Sequence, residues 1–294
     1  MVVRWYREHG YHFVVLTDHD SRTPVEGLNA LFGAPEAFLV LPGVEVTDRF
    51  AKLPVHVNGI NVSRAVRPLG GGSVAEVLSR DARAVREAGG LPHVNHPNYL
   101  WAVPAEAIAA ASEARHFEVW NGHPAVNNAG GSGSPSTDEI WDRVLSSGRV
   151  LYGLATDDAH DFHGELGPLR ASPGRGFIMV RSPALTPEAL VAAIDRGDFY
   201  ASTGVVLTRY EADEAGIRLE LPEDPTPRGL PYRVHPLSLR YRTYFIGKGG
   251  EVLKRDESLS PSYAFQGDEL YVRARVEASN GTVAWTQPVS PGKR

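Results

Sequence analysis

Short apolar runs that each end in a histidine or a carboxylate recur along the first 160 residues. FVVLTDHD (13–20) ends in Asp18 and His19, and FLVLPGVEVT (38–47) delivers Glu45. LPHVNHPN (91–98) ends in His96, HFEVWNGH (116–123) carries Glu118, and VLYGLATDDAH (150–160) ends in Asp158 and His160. A strand terminus is a rigid mount, and parallel strands of an α/β barrel all end on one face. Groups far apart in sequence are therefore expected to converge. Imidazole with carboxylate suits divalent Mn, Fe or Zn, and with no cysteine in the chain no thiolate can compete.

The segments between these runs read as helices. Residues 2–9 read as the tail of an amphipathic helix stopped by Gly10. Ser73 and Glu76 make a capping-box pattern ahead of a stripe of Val74, Val77, Leu78 and Val85, and Ser136 with Glu139 repeats it. Pro104 fits a first helical position before an alanine-rich helix to about residue 114, and Thr186-Pro187 opens another. Strand, ligand and helix thus alternate as in a parallel α/β barrel. AGGSGSPS (129–136) reads as a surface connection, with an active-site lid as the alternative.

Beyond about residue 204 helical periodicity gives way to alternation, clearest in LYVRARVEA with Leu270, Val272, Ala274 and Val276 on one face. Asn280-Gly281 signals a tight hairpin. A proline-rich connection, PEDPTPRGLP (222–231), separates two expected strands. The expected organisation is a barrel over 1–204 and a small antiparallel β-sandwich of six or seven strands over 205–294.

The 294 residues suffice for one barrel and a smaller domain, and a net charge of −5 argues against nucleic acid as the main partner. No window has 18 uninterrupted apolar residues, so no membrane span is expected. Met1 opens onto VVRWYREHGY without a signal-peptide core. The chain as it stands is expected to be soluble and cytoplasmic, a lost upstream signal being the alternative.

GYHFVVLTDHD, LPGVEVT, HVNHPN, FEVWNG and TDDAHD together resemble the polymerase and histidinol phosphatase (PHP) superfamily of metal-dependent phosphoesterases, in that family's order over the first 161 residues. RGDFYASTG (196–204) followed by β-structure resembles the branch with an added β-domain, which includes carbaryl-type ester hydrolases. The resemblance implies a distorted (β/α)7 barrel holding two or three divalent ions (Mn, Zn or Fe). It implies metal-binding roles for His19, Glu45, His96, Glu118, Asp158 and His160, with Glu45 bridging. It implies catalytic roles for Asp18 and His160, Asp18 also orienting its neighbour. Either Glu118 or Asn121 is the residue that reaches the metals.

The family's opening His-x-His has no counterpart in residues 1–12, so the barrel is expected to lack its first strand, and the pair is expected upstream of Met1 rather than lost. The implied activity is hydrolysis of a small-molecule phosphate ester by a metal-activated water. A carboxylic-ester or carbamate hydrolase is the alternative, and a vestigial binding protein, with Trp285 as a contact, is the second. His9, His12, His93, His116 and His235 fall at strand starts or in the second domain and read as structural; His56, in LPVHVNGINV, is left between site and scaffold.

Overall fold

In a computed structural model, which describes residues 1–34, 37–164, 166–167, 169–223 and 239–291, the alternating segments GVEVTDRF and LPVHVNGI fold into one long hairpin. Val44, Val46, Val55 and Val57 all point to one face and are fully buried there. The residues between them, Glu45 and Thr47 on one arm and His56 and Asn58 on the other, share the opposite face because strand side chains alternate. This single hairpin separates an apolar outer layer from a polar inner one.

The hairpin is the centre of a six-stranded sheet. Its strands are β1 (Phe13–Leu16), β2 (Leu39–Phe50), β3 (Leu53–Ile60), β4 (Leu91–Val94), β5 (His116–Asn121) and β6 (Tyr152–Thr156), hydrogen-bonded in that order. β1 and β2 are parallel, as are β4, β5 and β6. β3 runs antiparallel to both its neighbours. The sheet is therefore mixed, and this corrects the expectation of an all-parallel barrel. The physical reason is the two-residue connection Ala51-Lys52, too short for the crossover that a parallel neighbour requires. The sheet curls into a half-barrel with β1 and β6 at its two ends. At Gly43 the chains come so close that a Cβ would lie 2.7 Å from the Leu16 carbonyl oxygen.

Among the described residues six α-helices accompany the strands: α1 (Val2–Glu8), α2 (Glu26–Phe32), α3 (Val74–Glu87), α4 (Ala105–Ala110), α5 (Thr137–Ser146) and α6 (Pro187–Arg196). α3 lays Val77, Leu78, Ala82 and Val85 on the valine face of the hairpin. Its start differs slightly from the expected capping box. Ser73 Oγ accepts from the Glu76 N–H, but the Glu76 carboxylate takes the Gly72 N–H instead of that of Ser73. α5 has the full reciprocal box of Ser136 and Glu139. Pro104 occupies the cap before α4 rather than its first turn, and α4 ends at Ala110. The 129–136 connection is pinned by Asn98, whose amide donates to the carbonyls of Asn127 and Pro135.

The second β region is antiparallel. It contains β7 (Phe177–Val180), β8 (Phe199–Ser202), β9 (Arg209–Asp213), β10 (Gly216–Glu220), β11 (Tyr241–Ile246), β12 (Val252–Asp256), β13 (Ser262–Ala264), β14 (Arg273–Ala278) and β15 (Val283–Thr286). One sheet has the order β13-β10-β9 and the other β12-β11-β14-β15-β8-β7, so β8, before residue 204, pairs with β15 beyond it. The two sheets share a core of Ile217, Leu219, Phe245, Val272, Ala274 and Val276. Asn280-Gly281 does form the turn from β14 to β15, with Gly281 at φ 86°. Leu270 lies before β14 and is exposed, whereas Val272, Ala274 and Val276 are buried. Most of the proline-rich connection, and His235, lie outside the described residues.

The second region grips the first through buried polar contacts. Arg273 is fully buried, forks onto both Asp142 oxygens at 2.8 and 2.6 Å, and lies over the Trp141 ring. Tyr271 also donates to Asp142, and the Trp285 indole donates to Asp138. The Gln287 amide pairs with both the N–H and the carbonyl of Gly153 on β6 at 2.9 Å, satisfying backbone groups of that end strand. Gly153 leaves no room for a side chain, since a Cβ there would lie 2.8 Å from the Trp141 ring.

Candidate metal centre

The polar face of the hairpin is the floor of the site. Glu45 stands on β2 and His56 on the antiparallel arm, one position away along the same face from the Glu45–Asn58 pair. His56 Nδ1 lies 2.8 Å from Glu45 Oε1, and His96 Nε2 lies 3.4 Å from the same oxygen. The ligand atoms of Glu45, His56 and His96 all lie within 4.8 Å of one another, and all three residues are buried. Asn95 donates to Glu45 Oε1 at 2.7 Å and so fixes the carboxylate from a third side.

A second layer lies behind. Glu118 on β5 is buried with both oxygens engaged: Oε1 with the Thr156 hydroxyl at 2.8 Å and His93 Nε2 at 3.3 Å, Oε2 with the His96 N–H at 2.7 Å and the Asn121 amide at 2.8 Å. Asn121 reaches on to Asp158 Oδ2 at 3.2 Å. Glu118 thus holds the backbone of His96 in place, and Asn121 ties it to Asp158.

The remaining residues form the rim. His19 is half exposed, with Nδ1 at 2.6 Å from Thr47 Oγ1 and 3.3 Å from Glu45 Oε2. Asp18 is exposed; its carboxylate accepts from Thr23 and does not touch the histidine group. His160 is exposed, with Nδ1 at 2.8 Å from the Asp158 carbonyl oxygen, and its ring is 6.0 Å from that of His19. Asp20, His96 and Asp158 have positive φ values of 50°, 20° and 48°, strained backbone gathered in one place.

Of the residues expected from sequence, the structure gathers Glu45 and His96 into the compact group and sets His19 at its edge. Glu118, Asp158 and His160 line the same cavity as Glu45. His56 completes the group. The antiparallel β3 lets a mid-strand histidine face the ligands, which a parallel reading of the chain does not suggest. His93, expected to be structural at a strand start, is buried on the inner face and meets Asn58 and Glu118. Its signal was present in the alternation His93, Asn95 on one strand face. His116 is buried at the far end, bonded to the Ile194 carbonyl.

The electrostatics favour a cation. Burial opposes ionisation of Glu45, yet hydrogen bonds and charge from His56 and His96 outweigh it and hold the carboxyl well below the usual range. Burial also opposes a charged His96, but Glu45, Glu118 and Asp158 raise its pKa overall. Asp158 is raised by burial, then by the neighbouring charges of Glu118 and Glu45. Three carboxylates crowd one buried network, and a divalent ion between Glu45, His56 and His96 would relieve their repulsion. The donor set of one carboxylate and two imidazoles fits Zn, Mn or Fe.

No family model matches the sequence, and no curated protein matches it. Fold and site together define a curled α/β half-barrel with a buried group able to bind a metal, followed by antiparallel sheets.

Proposed function

We propose that this chain is a metal-dependent hydrolase of ester bonds, on the barrel plan of the PHP superfamily, with the antiparallel β region as an accessory part that takes in β7 and β8 as well as the strands beyond residue 204. The observation that carries the reading is the buried group of Glu45, His56 and His96, whose Glu45 also lines a large cavity. Glu45, His56 and His96 would hold a divalent ion, with His19 and Asp158 available from the rim for a second. Such ions supply a Lewis acid that polarises the scissile oxygen and lowers the pKa of water.

The protein's own groups supply orientation and proton movement. Asn95 fixes the Glu45 carboxylate, and Glu118 fixes the His96 backbone. His160 Nδ1 donates to the Asp158 carbonyl, which leaves Nε2 to take a proton from water and return it to the departing oxygen. In the balanced step, water oxygen bonds to the phosphorus or acyl carbon, the ester bond breaks, and water's protons end on the acid and the alcohol.

Phosphate esters are the substrate class that the sequence resemblance favours. One observation favours a carboxylic ester or carbamate: no lysine or arginine is among the described residues lining the cavity, so a phosphate there would depend on histidines and bound cations for neutralisation. Calorimetry with Mn and Zn, followed by assays on p-nitrophenyl phosphate, a phosphodiester and p-nitrophenyl acetate, tests the reading. Metal-dependent turnover of one class, lost with EDTA and in Glu45→Gln, is expected. No metal binding, or turnover indifferent to EDTA, would overturn it.

A further inference from the structure

A second cleft, with a volume of about 640 Å³, opens between α5 and one face of the sheet that contains β12, β11 and β14. Strand alternation builds it. Along β14, Ala274 and Val276 go to the core between the two antiparallel sheets, so Arg273, Arg275 and Glu277 fall on the opposite face. On β11, Tyr244 and Ile246 are the register partners of Arg275 and Arg273 and share that face. These side chains are the floor of the cleft. α5 is its wall, with Asp138 and Asp142 one turn apart and Glu139 and Arg143 beside them. The Gly249-Gly250 turn also lines it, and a Cβ on Gly250 would lie 3.2 Å from Asp142 Oδ2.

The floor carries donors that the protein leaves unused. Arg273 is fully buried, with Nε and Nη2 on Asp142 and Nη2 also on Asp138. Its Nη1 has no hydrogen-bond partner among the described residues. Arg275 reaches Glu277 at 2.9 Å through Nη2, while its buried Nε is likewise without a partner among them. A buried N–H left unmatched is costly, and two of them on neighbouring positions of one strand face call for an acceptor.

The charges of the lining decide what kind of molecule brings that acceptor. Asp138, Glu139, Asp142 and Glu277 supply four carboxylates, and Arg143, Arg273 and Arg275 three guanidinium groups. An anion would meet the carboxylates, and a cation the guanidinium groups. A neutral molecule rich in hydroxyls can accept from Arg273 and Arg275 and donate to Glu139 and Glu277 at once. The half-buried Tyr244 ring offers an apolar face against which the C–H side of a sugar ring can lie. The volume is within the range of small-molecule sites.

We infer that this cleft is a carbohydrate-binding site for a short neutral oligosaccharide. Its hydroxyls lie between the arginines of β14 and the carboxylates of α5, with one ring on Tyr244. Neither the metal centre nor the hydrolase reading is needed for this binding.

Saturation-transfer NMR on the full chain, with cellotriose, maltotriose, xylotriose and mannotriose at millimolar concentration, is the test. Saturable binding of at least one of them, unaltered by EDTA, is expected. Arg275→Met keeps the aliphatic stem and removes the donors, and Tyr244→Ala removes the ring. Each should weaken binding by roughly tenfold or more. Arg273 is left in place because it also joins the two regions. If Tyr244→Ala lowers the melting temperature, the partly exposed Arg275→Met position carries the comparison alone. Trigalacturonate, whose carboxylates would face Asp138, Glu139 and Glu277, should bind more weakly than the best neutral trisaccharide by a similar factor. Binding of none of the neutral trisaccharides would overturn the inference. So would binding that Arg275→Met retains in full, or trigalacturonate binding as tightly as the neutral sugars.

Discussion

Glu45 Oε1 and His56 Nδ1 meet at 2.8 Å from the two antiparallel arms of one hairpin, and the same oxygen accepts the Asn95 amide. One carboxylate therefore sets the position of two neighbours and its own charge state. Glu45→Gln should remove most Mn or Zn affinity in calorimetry. Asn95→Ala keeps the three ligands but frees the carboxylate, so a loss of roughly tenfold is expected. An unchanged affinity in Glu45→Gln would place the metal elsewhere.

His160 is separable from the metal group by its exposure and its bond to the Asp158 carbonyl. His160→Asn should reduce turnover by about a hundredfold, as expected for loss of a general acid or base, with metal affinity falling less than tenfold. A collapse of affinity in that variant would make His160 a ligand and not a proton carrier.

The carboxyl of Asp81, buried on α3, is pushed up to about 8, first by burial and then by the carboxylate of Asp48. The Leu69 N–H donates to Asp81 Oδ1, and the Gly70 N–H donates to Asp48 Oδ2. Native Asp81 keeps its proton where the unfolded chain has lost it. Stability from this group is complete below the ordinary aspartate range near 4 and is lost as pH rises from there through about 8. Asp81→Asn should flatten that fall in denaturant titrations, and at pH 9 it should stabilise by on the order of 1–3 kcal/mol. A variant whose stability still drops between pH 5 and 9 as the parent's does would contradict the assignment.

Arg273 is the buried cation that joins the two regions, with Asp142 and Asp138 as acceptors. Arg273→Ala leaves the buried Asp142 carboxylate without its cation and should cost about 3–5 kcal/mol in urea unfolding. Arg273→Lys loses the fork and the stacking on Trp141 and should recover only part of that. The exposed Arg255–Glu257 pair is the comparison: its removal should cost less than about 1 kcal/mol.

The sequence makes the inner-face ligands visible where they end an apolar run, because strand alternation and turn position suffice to aim them. Glu45, His96 and Asp158 are such cases. His56 was harder to read because its direction depends on β3 running antiparallel, which the connection Ala51-Lys52 decides. The supporting layer of Asn58, His93, Asn95 and Thr156 was less visible still, since each looks like an ordinary strand or turn residue until the strands are placed side by side. The fork of Arg273 on Asp142 joins positions 131 residues apart in different sheets and helices, and no local pattern announces it.

The hairpin has a consequence for the order in which the site assembles. Glu45 and His56 are separated by 11 residues, so closing the loop between them costs little chain entropy, and hairpins form in roughly 1–10 μs. His96 must be brought from 51 residues away from Glu45, and Asp158 from much further. Two of the three residues of the group can thus meet in an otherwise unstructured chain. A cation captured there would stabilise the nascent hairpin before the rest of the sheet has closed over it, so that metal binding and the folding of this hairpin would be coupled.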